Sequence, residues 1–168
     1  MNRSPHLSRL ALVLVVLLCS IGCDRASKAV AEAGLRDAGR VSMFHDVFRL
    51  ELTRNRGAFL SLGARLAEPL RRVILEAGVA AMVLALVGCA LWLSRDRWQA
   101  AAYALLAGGG AGNLWDRLAG GAVTDFMNLG IGPLRTGIFN VADLAIVAGV
   151  VLLLLKSRTV PKAETAPP

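Results

Sequence analysis

Hydrophobic residues are concentrated in four long stretches of the chain, at about residues 7–30, 73–93, 98–114 and 138–155. A helix that crosses a bilayer needs ~20 such residues, fewer when its ends lie in the interface. The first two stretches reach this length, and the last two are slightly shorter. The pattern predicts an all-α bundle of four membrane helices in one domain, residues 1–160, with a disordered tail over residues 161–168.

A different pattern appears between the first two apolar stretches, in residues 34–72. From Val47 to Thr53, apolar and polar residues alternate. A period of two is typical of a strand with one buried face. We therefore expect a small β element outside the membrane, on the side away from both termini.

Composition supports a membrane protein and narrows its chemistry. Hydrophobic residues make up 55% of the chain and the mean hydropathy is +0.56. The net charge of +7 is typical of loops and helix ends in membrane proteins, and no nucleic-acid recognition motif accompanies it. Three cysteines and two histidines are scattered without metal-ligand spacing. We predict no cofactor, no metal site and no nucleic-acid partner.

The basic residues also predict an orientation. Four spans place both termini and the second loop on one side, which carries Arg3, Arg9, Arg95, Arg97, Lys156, Arg158 and Lys162. The positive-inside rule makes this side cytoplasmic. Residues 34–72 hold eight arginines and four acids, but the rule gives long loops less weight.

The first apolar stretch could instead be a cleaved lipoprotein signal, since it has a basic start and ends at Cys23. The preceding Ser20 is a poor match to the aliphatic position of a cleavage box. The helical pattern also continues through Asp24 and Lys28, and three more spans follow. A retained membrane helix is the favoured interpretation.

Ionisable and amide side chains collect near one predicted membrane face. They are Asp24, Lys28, Asn55, Asn113, Asp116, Arg117, Asp125, Asn140 and Asp143. A charge inside a membrane segment costs ~2.5–3.5 kcal/mol, so it usually persists when paired or when it lines a polar site. Singly, each has an ordinary explanation, such as an interfacial ion pair, a helix cap or a favourable dipole contact. Together they indicate a functional site.

Two carboxylates without metal ligands favour acid–base chemistry on water, as in an aspartic peptidase. Asp24 has Lys28 one turn away, and Asp116 is next to Arg117, so these two acids suit structural roles. Asp125 and Asp143 have no basic residue within four positions. This preference is modest, and the residues alone leave the choice open.

Four motifs in matching order and spacing resemble one known family. They are Asp24-Arg25-Ala26-Ser27-Lys28, Asn55-Arg56-Gly57-Ala58-Phe59, GGGAGNLWDRLAGGAVTDF from Gly108 to Phe126, and Phe139-Asn140-Val141-Ala142-Asp143. The chain resembles the bacterial lipoprotein signal peptidases (signal peptidase II) over nearly its whole length. The combination of motifs is highly specific, whereas the glycines alone would be weak support.

The resemblance implies a four-helix membrane enzyme with an extracytoplasmic β-cradle and a short mobile helix over the site. It implies a monomer in the bacterial inner membrane that contacts membrane lipid, is blocked by globomycin, and cleaves prolipoproteins just before a diacylglyceryl-modified cysteine. Asp125 and Asp143 match the catalytic pair. The residues that match its supporting positions are Asp24, Lys28, Asn55, Gly57, Asn113, Arg117 and Asn140.

Three other functions are weaker matches to these residues. A Ser–Lys peptidase would use Lys28 with Ser27 or Ser61, but adjacent residues on a helix point apart. A catalytically inactive paralogue could bind or sequester the antibiotic, although both carboxylates are present. No inverted repeat supports a transporter. We also expect residues 55–63 to form a lid, with Gly57 and Gly63 as hinges.

Overall fold

The computed structural model describes residues 5–56 and 67–157, and these contain four long helices. Their bounds are α1 Pro5–Leu35, α2 Glu68–Gly88, α3 Arg97–Gly120 and α4 Val141–Ser157; a π-helical turn, Cys89–Leu93, continues α2. Two helical segments, His6–Leu35 and Arg72–Leu93, are long and apolar enough to cross a membrane. All four helices coincide with the predicted apolar stretches, but α1 and α3 run on into the polar motifs that follow them.

Helix α3 packs against the three other helices, and its glycines make these contacts close. A Cβ atom on Gly108 would lie 2.6 Å from the Cβ of Ser20 in α1. One on Gly109 would lie 2.4 Å from the carbonyl oxygen of Ala142 in α4, and Gly110 faces α2. Any side chain at Gly108 or Gly109 would force the helices apart. These glycines therefore allow close contacts of α3 with both α1 and α4.

Polar contacts gather three parts of the chain at one end of the bundle. Arg9 near the start of α1 donates to the carbonyl of Leu91 at 3.2 Å. Lys156 at the end of α4 lies 3.3 Å from Asp96, which caps α3. The first turns of α1, the connection from α2 to α3, and the last turn of α4 therefore lie together at one end of the four helices.

The strands form one antiparallel sheet in the order β1–β2–β3–β4. Their bounds are β1 Arg40–Met43, β2 Phe48–Asn55, β3 Val123–Ile131 and β4 Leu134–Arg135. The predicted strand is confirmed as β2. The prediction was incomplete, because half of the strands come from residues after α3. The pairing of β2 with β3 places Thr53 opposite Asp125 and brings two distant motifs together.

The sheet packs on the end of α1 and on the start of α4. Phe126 of β3 is buried against Ala31 and Leu35 of α1. Beyond it, the N–H of Phe139 donates to the carbonyl of Met127 at 2.8 Å, so the residue before Asn140 is bonded to β3. Helix α3 reaches β3 through a left-handed turn at Gly121, where φ is +68°. Together these contacts fix β3 between α3 and α4.

Candidate active site

The first turn of α4 is closed by two side chains of the predicted site. The helix begins at Val141, so Asn140 is the N-cap residue and Asp143 is its third helical residue. The N–H of Asp143 donates to Oδ1 of Asn140 at 3.0 Å, and the N–H of Asn140 donates to Oδ2 of Asp143 at 3.1 Å. This reciprocal pattern is a capping box. The expected capping role of Asn140 is confirmed, and it fixes the direction of the Asp143 carboxylate.

Asp125 reaches the same place from the sheet. It lies on β3 and is only 3% exposed. Its Oδ1 accepts a hydrogen bond from Nδ2 of Asn140 at 2.6 Å, and its Oδ2 accepts one from Nδ2 of Asn55 at 3.1 Å. Asn55 is the last residue of β2. Residues from β2, β3 and the start of α4 thus surround one carboxyl group.

Asn113 of α3 completes the connection between the two acids, which we call the dyad (Asp125 and Asp143). Its Nδ2 donates to Oδ1 of Asp143 at 2.9 Å, and its Oδ1 accepts from Nδ2 of Asn140 at 3.0 Å. Nζ of Lys28 also donates to Oδ1 of Asn113, at 3.3 Å. These bonds define which way each amide points. Asn140 thus contacts both carboxylates of the dyad, donating from its side-chain Nδ2 to Asp125 and from its backbone N–H to Asp143.

Next to the dyad lies a second group of charges, which we call the ion cluster (Asp24, Arg25, Lys28 and Asp116). Nζ of Lys28 is 2.7 Å from Asp24 and 2.8 Å from Asp116, and Arg25 pairs with the other oxygen of Asp116. Asp24 and Lys28 are 0% and 1% exposed. The predicted pair of Asp24 with Lys28 is confirmed. It is buried within the protein, so it is not an interfacial pair.

One sequence-based assignment in this region was wrong. Asp116 was matched with its neighbour Arg117, but its ion-pair partners are Arg25 and Lys28 of α1. Adjacent helical residues point about 100° apart, so a neighbour along the chain is not a neighbour in space. Arg117 instead donates to the backbone carbonyl of Asn113 at 3.3 Å. Asp116 was among the polar residues near the predicted face but was not given a supporting role. Its carboxylate accepts the N–H of Thr124, which directly precedes Asp125.

The electrostatics of Asp125 differ from those of a surface carboxyl. Burial raises its pKa above the usual range, and the nearby negative charge of Asp143 raises it further. Hydrogen bonds from Asn55 and Asn140 act in the opposite direction. Desolvation and a nearby like charge both favour the protonated form of Asp125.

Several predicted elements fall outside the described residues. These are Gly57, Ser61 and Gly63, with most of the expected lid over residues 55–63. Ser27 is described, and its hydroxyl donates to the carbonyl of Asp24 at 2.9 Å. Lys28 directs its ammonium group at Asp24, Asp116 and Asn113. The geometry does not assemble Ser27 and Lys28 into a nucleophile and base.

Comparison with known proteins places this site in a family. A family model described as Signal peptidase (SPase) II matches residues 15–159. The chain belongs to the signal peptidase II family. It is 39% identical over 159 residues to a lipoprotein signal peptidase of Methylorubrum extorquens (strain PA1), which covers 90% of this chain and 89% of the relative. It is also 35% identical over 154 residues to one of Gloeobacter violaceus (strain ATCC 29082 / PCC 7421), covering 89% and 86%.

Solved structures of bacterial membrane enzymes share the fold. One aligns with a TM-score of 0.73 at 21% identity, covering 92% of this chain and 94% of the other. A second aligns with a TM-score of 0.75 at 20% identity, covering 88% and 92%. The signal peptidase II family and these neighbours identify a membrane peptidase that is mostly helical with a small antiparallel sheet. The resemblance noted in the motifs is therefore confirmed.

Proposed function

We propose that this chain is an aspartic endopeptidase that removes signal peptides from prolipoproteins by cleaving just before the diacylglyceryl-modified cysteine. Asp125 and Asp143 are its catalytic residues. The observation that carries this proposal is that both carboxylates hydrogen-bond the amide residue Asn140. Among residues 5–56 and 67–157, neither carboxylate forms an ion pair. Each can therefore gain a proton without breaking an ion pair.

The reaction needs one proton on the dyad and one water molecule between its carboxyl groups. The ionised acid takes a proton from the water as the water oxygen attacks the scissile carbonyl. The protonated acid donates its proton to the developing oxyanion. When the C–N bond breaks, the acid that took the water proton transfers it to the leaving amine. The hydroxyl group formed from the oxyanion returns its proton to the other acid as the carbonyl re-forms. The dyad thereby regains its starting state, and the proton is assigned to the pair.

The amides around the dyad support this cycle by holding it in place. Asn113 and Asn140 each donate to a carboxylate oxygen, and Lys28 fixes the direction of the Asn113 amide. Preorganised donors need little rearrangement when charge moves between the acids. Asn55 donates to Asp125 from the sheet, and Arg117 holds the backbone at Asn113. These residues are the supporting set of the proposed site.

We further propose a bundle of four spans in the inner membrane as a single domain over residues 1–160, with both termini in the cytoplasm. The contact of Lys156 with Asp96 supports this arrangement, because it gathers the basic ends far from the dyad. The sheet is then an extracytoplasmic cradle beside the dyad. The partners are prolipoproteins and membrane lipid, and the enzyme acts as a monomer.

A gel-shift assay on a diacylglyceryl-modified prolipoprotein in purified membranes tests the proposal. We expect cleavage by the intact enzyme, inhibition by globomycin, and losses of about 10²–10⁴-fold or more in Asp125→Asn and in Asp143→Asn. Asp37→Asn is the matched control, since this exposed acid lies just beyond α1. Retained activity in either dyad variant rejects the aspartic mechanism. Loss of activity in Ser61→Ala would favour a serine nucleophile instead.

A further inference from the structure

Asp116 connects three separate elements although it is not part of the dyad. Its Oδ2 lies 2.8 Å from Nζ of Lys28 and accepts the N–H of Thr124 at 3.1 Å. Its Oδ1 pairs with Arg25. The carboxyl group is 5% exposed, and Thr124 directly precedes Asp125 on β3. One side chain of α3 thus joins α1 to the backbone of the strand that carries a proposed catalytic acid.

The ion cluster is electrically balanced. Asp24 and Asp116 contribute two negative charges, and Arg25 and Lys28 contribute two positive ones. Lys28 also reaches Asn113, which donates to Asp143. The ion cluster is therefore connected to the dyad by two routes. One runs from Lys28 through Asn113 to Asp143, and the other from Asp116 through Thr124 to Asp125. Any imbalance of its charge would act on the dyad from a short distance through a largely buried medium.

We infer that Asp116 is a positioning residue of the peptidase site, which keeps the ion cluster neutral and holds the start of β3 so that Asp125 faces Asp143. The inference rests on the proposed function, since it concerns the proton shared by the dyad. Without the charge of Asp116, the cluster carries one excess positive charge. That charge stabilises ionised carboxylates, so the dyad would lose its proton at lower pH.

Removal of Arg25 acts with the opposite sign. The cluster then carries one excess negative charge, which favours the protonated dyad and moves ionisation to higher pH. The effect is smaller, because the Arg25 side chain is 42% exposed and solvent screens its charge. Removing both charges restores neutrality. The three variants therefore predict a pattern of signs that general damage to the fold would not produce.

Other charged groups around Asp125 stay constant in this comparison. They are Lys28 and Glu32 of α1, Arg54 of β2, Arg117 of α3 and Asp143 of α4. Asn55, Asn113 and Asn140 are neutral donors at the same place. Substitutions at Asp116 and Arg25 leave each of these side chains intact, so the shift in ionisation reports on the cluster alone.

The test is the pH dependence of kcat/KM for the full-length enzyme in membranes, measured on the lipid-modified prolipoprotein. Asp116→Asn should move the acid limb of the profile to lower pH by about half a unit. Arg25→Gln should move it to higher pH by less, and the double variant should return it to the wild-type position. Arg36→Gln is the control: this exposed cation lies just after α1 and outside the cluster, so its profile should not move.

Asp116→Ala separates charge from position. It should show the same shift as Asp116→Asn with a further fall in kcat, because alanine cannot accept the hydrogen bond of Thr124. If Asp116→Asn fails to fold, Arg25→Gln alone decides. An unmoved or oppositely moved acid limb in the folded variants overturns the inference. Such a result leaves the proposed function intact, which fails only if the dyad variants themselves remain active.

Discussion

The ion cluster and the dyad lie side by side, and the hydrogen-bond donors to their acids differ. Asp24 and Asp116 face ammonium and guanidinium groups at ion-pair distance. Asp125 and Asp143 face the neutral amides of asparagines and backbone N–H groups. A neighbouring cation is a charged partner for a carboxylate, whereas an amide is a neutral one. We therefore expect the same residue type to serve structure in the ion cluster and chemistry in the dyad.

The largest expected effect is the loss of the cation at the centre of the ion cluster. Lys28→Met leaves Asp24 and Asp116 buried with one fewer cation, which should lower the free energy of unfolding by about 3–5 kcal/mol. Thermal unfolding of the purified protein in detergent would measure the loss. Arg40→Met is the matched control. It breaks an exposed pair with Glu51, which should cost about 1 kcal/mol or less.

Adding a methyl group to α3 at one of two positions should disturb the dyad and the ion cluster to different extents. Gly109→Ala presses on the carbonyl of Ala142, next to Asp143, at 2.4 Å. Gly112→Ala presses on Oδ2 of Asp24 at 2.8 Å. Each should cost about 1–3 kcal/mol of stability. Turnover at a temperature where both are folded should fall more for Gly109→Ala, because it displaces the helix that carries the proposed catalytic acid.

Gly78→Ala is the control for these two variants. A Cβ atom there meets nothing within 4 Å, and alanine is the better helix former. This variant should be as stable as the wild type or more stable. Equal turnover in Gly109→Ala and Gly112→Ala would mean that the two regions are not mechanically separate.

Asn140 both caps α4 and contacts the dyad, and two substitutions can divide these roles. Asn140→Ser keeps a capping oxygen but is too short to reach Asp125. Asn140→Ala loses the cap as well, which should cost about 0.5–2 kcal/mol more stability. Both should lose activity to a similar extent in the gel-shift assay. An active serine variant would show that capping is the only role of Asn140.

The smallest expected effect is a change in how the stability of the protein depends on pH. Burial raises the pKa of Asp125, so the folded protein binds this proton more tightly than the unfolded chain does. The resulting stability is present below the ordinary carboxyl pKa and is lost as pH rises through the raised value. Asp125→Asn removes this loss. The melting temperature of the Asp125→Asn variant minus that of the wild type should increase from acidic to neutral pH. A constant difference would contradict the raised pKa of Asp125.

How far the sequence predicts this molecule depends on which residues carry a periodic signal. Strand β2 alternates in polarity, so it was found. Strand β3 was missed because its sequence does not alternate in polarity: Thr124 and Asp125 are adjacent polar residues, and both are buried in the structure. Local spacing correctly paired Asp24 with Lys28. It could not pair Asp116 with Arg25, since that contact depends on how α1 packs against α3.

Because of its consecutive glycines, the rotation of α3 about its own axis affects the packing of the whole enzyme. Gly108, Gly109 and Gly110 face three different helices, and Asn113 and Asp116 follow on the same helix. One residue inserted before Gly108 would turn this entire set by about 100° relative to the preceding part of the helix. Each closely packed surface would then meet the wrong neighbour, and both groups of acids would lose their alignment at once. Length changes in α3 should therefore be tolerated far less well than substitutions of its exposed residues.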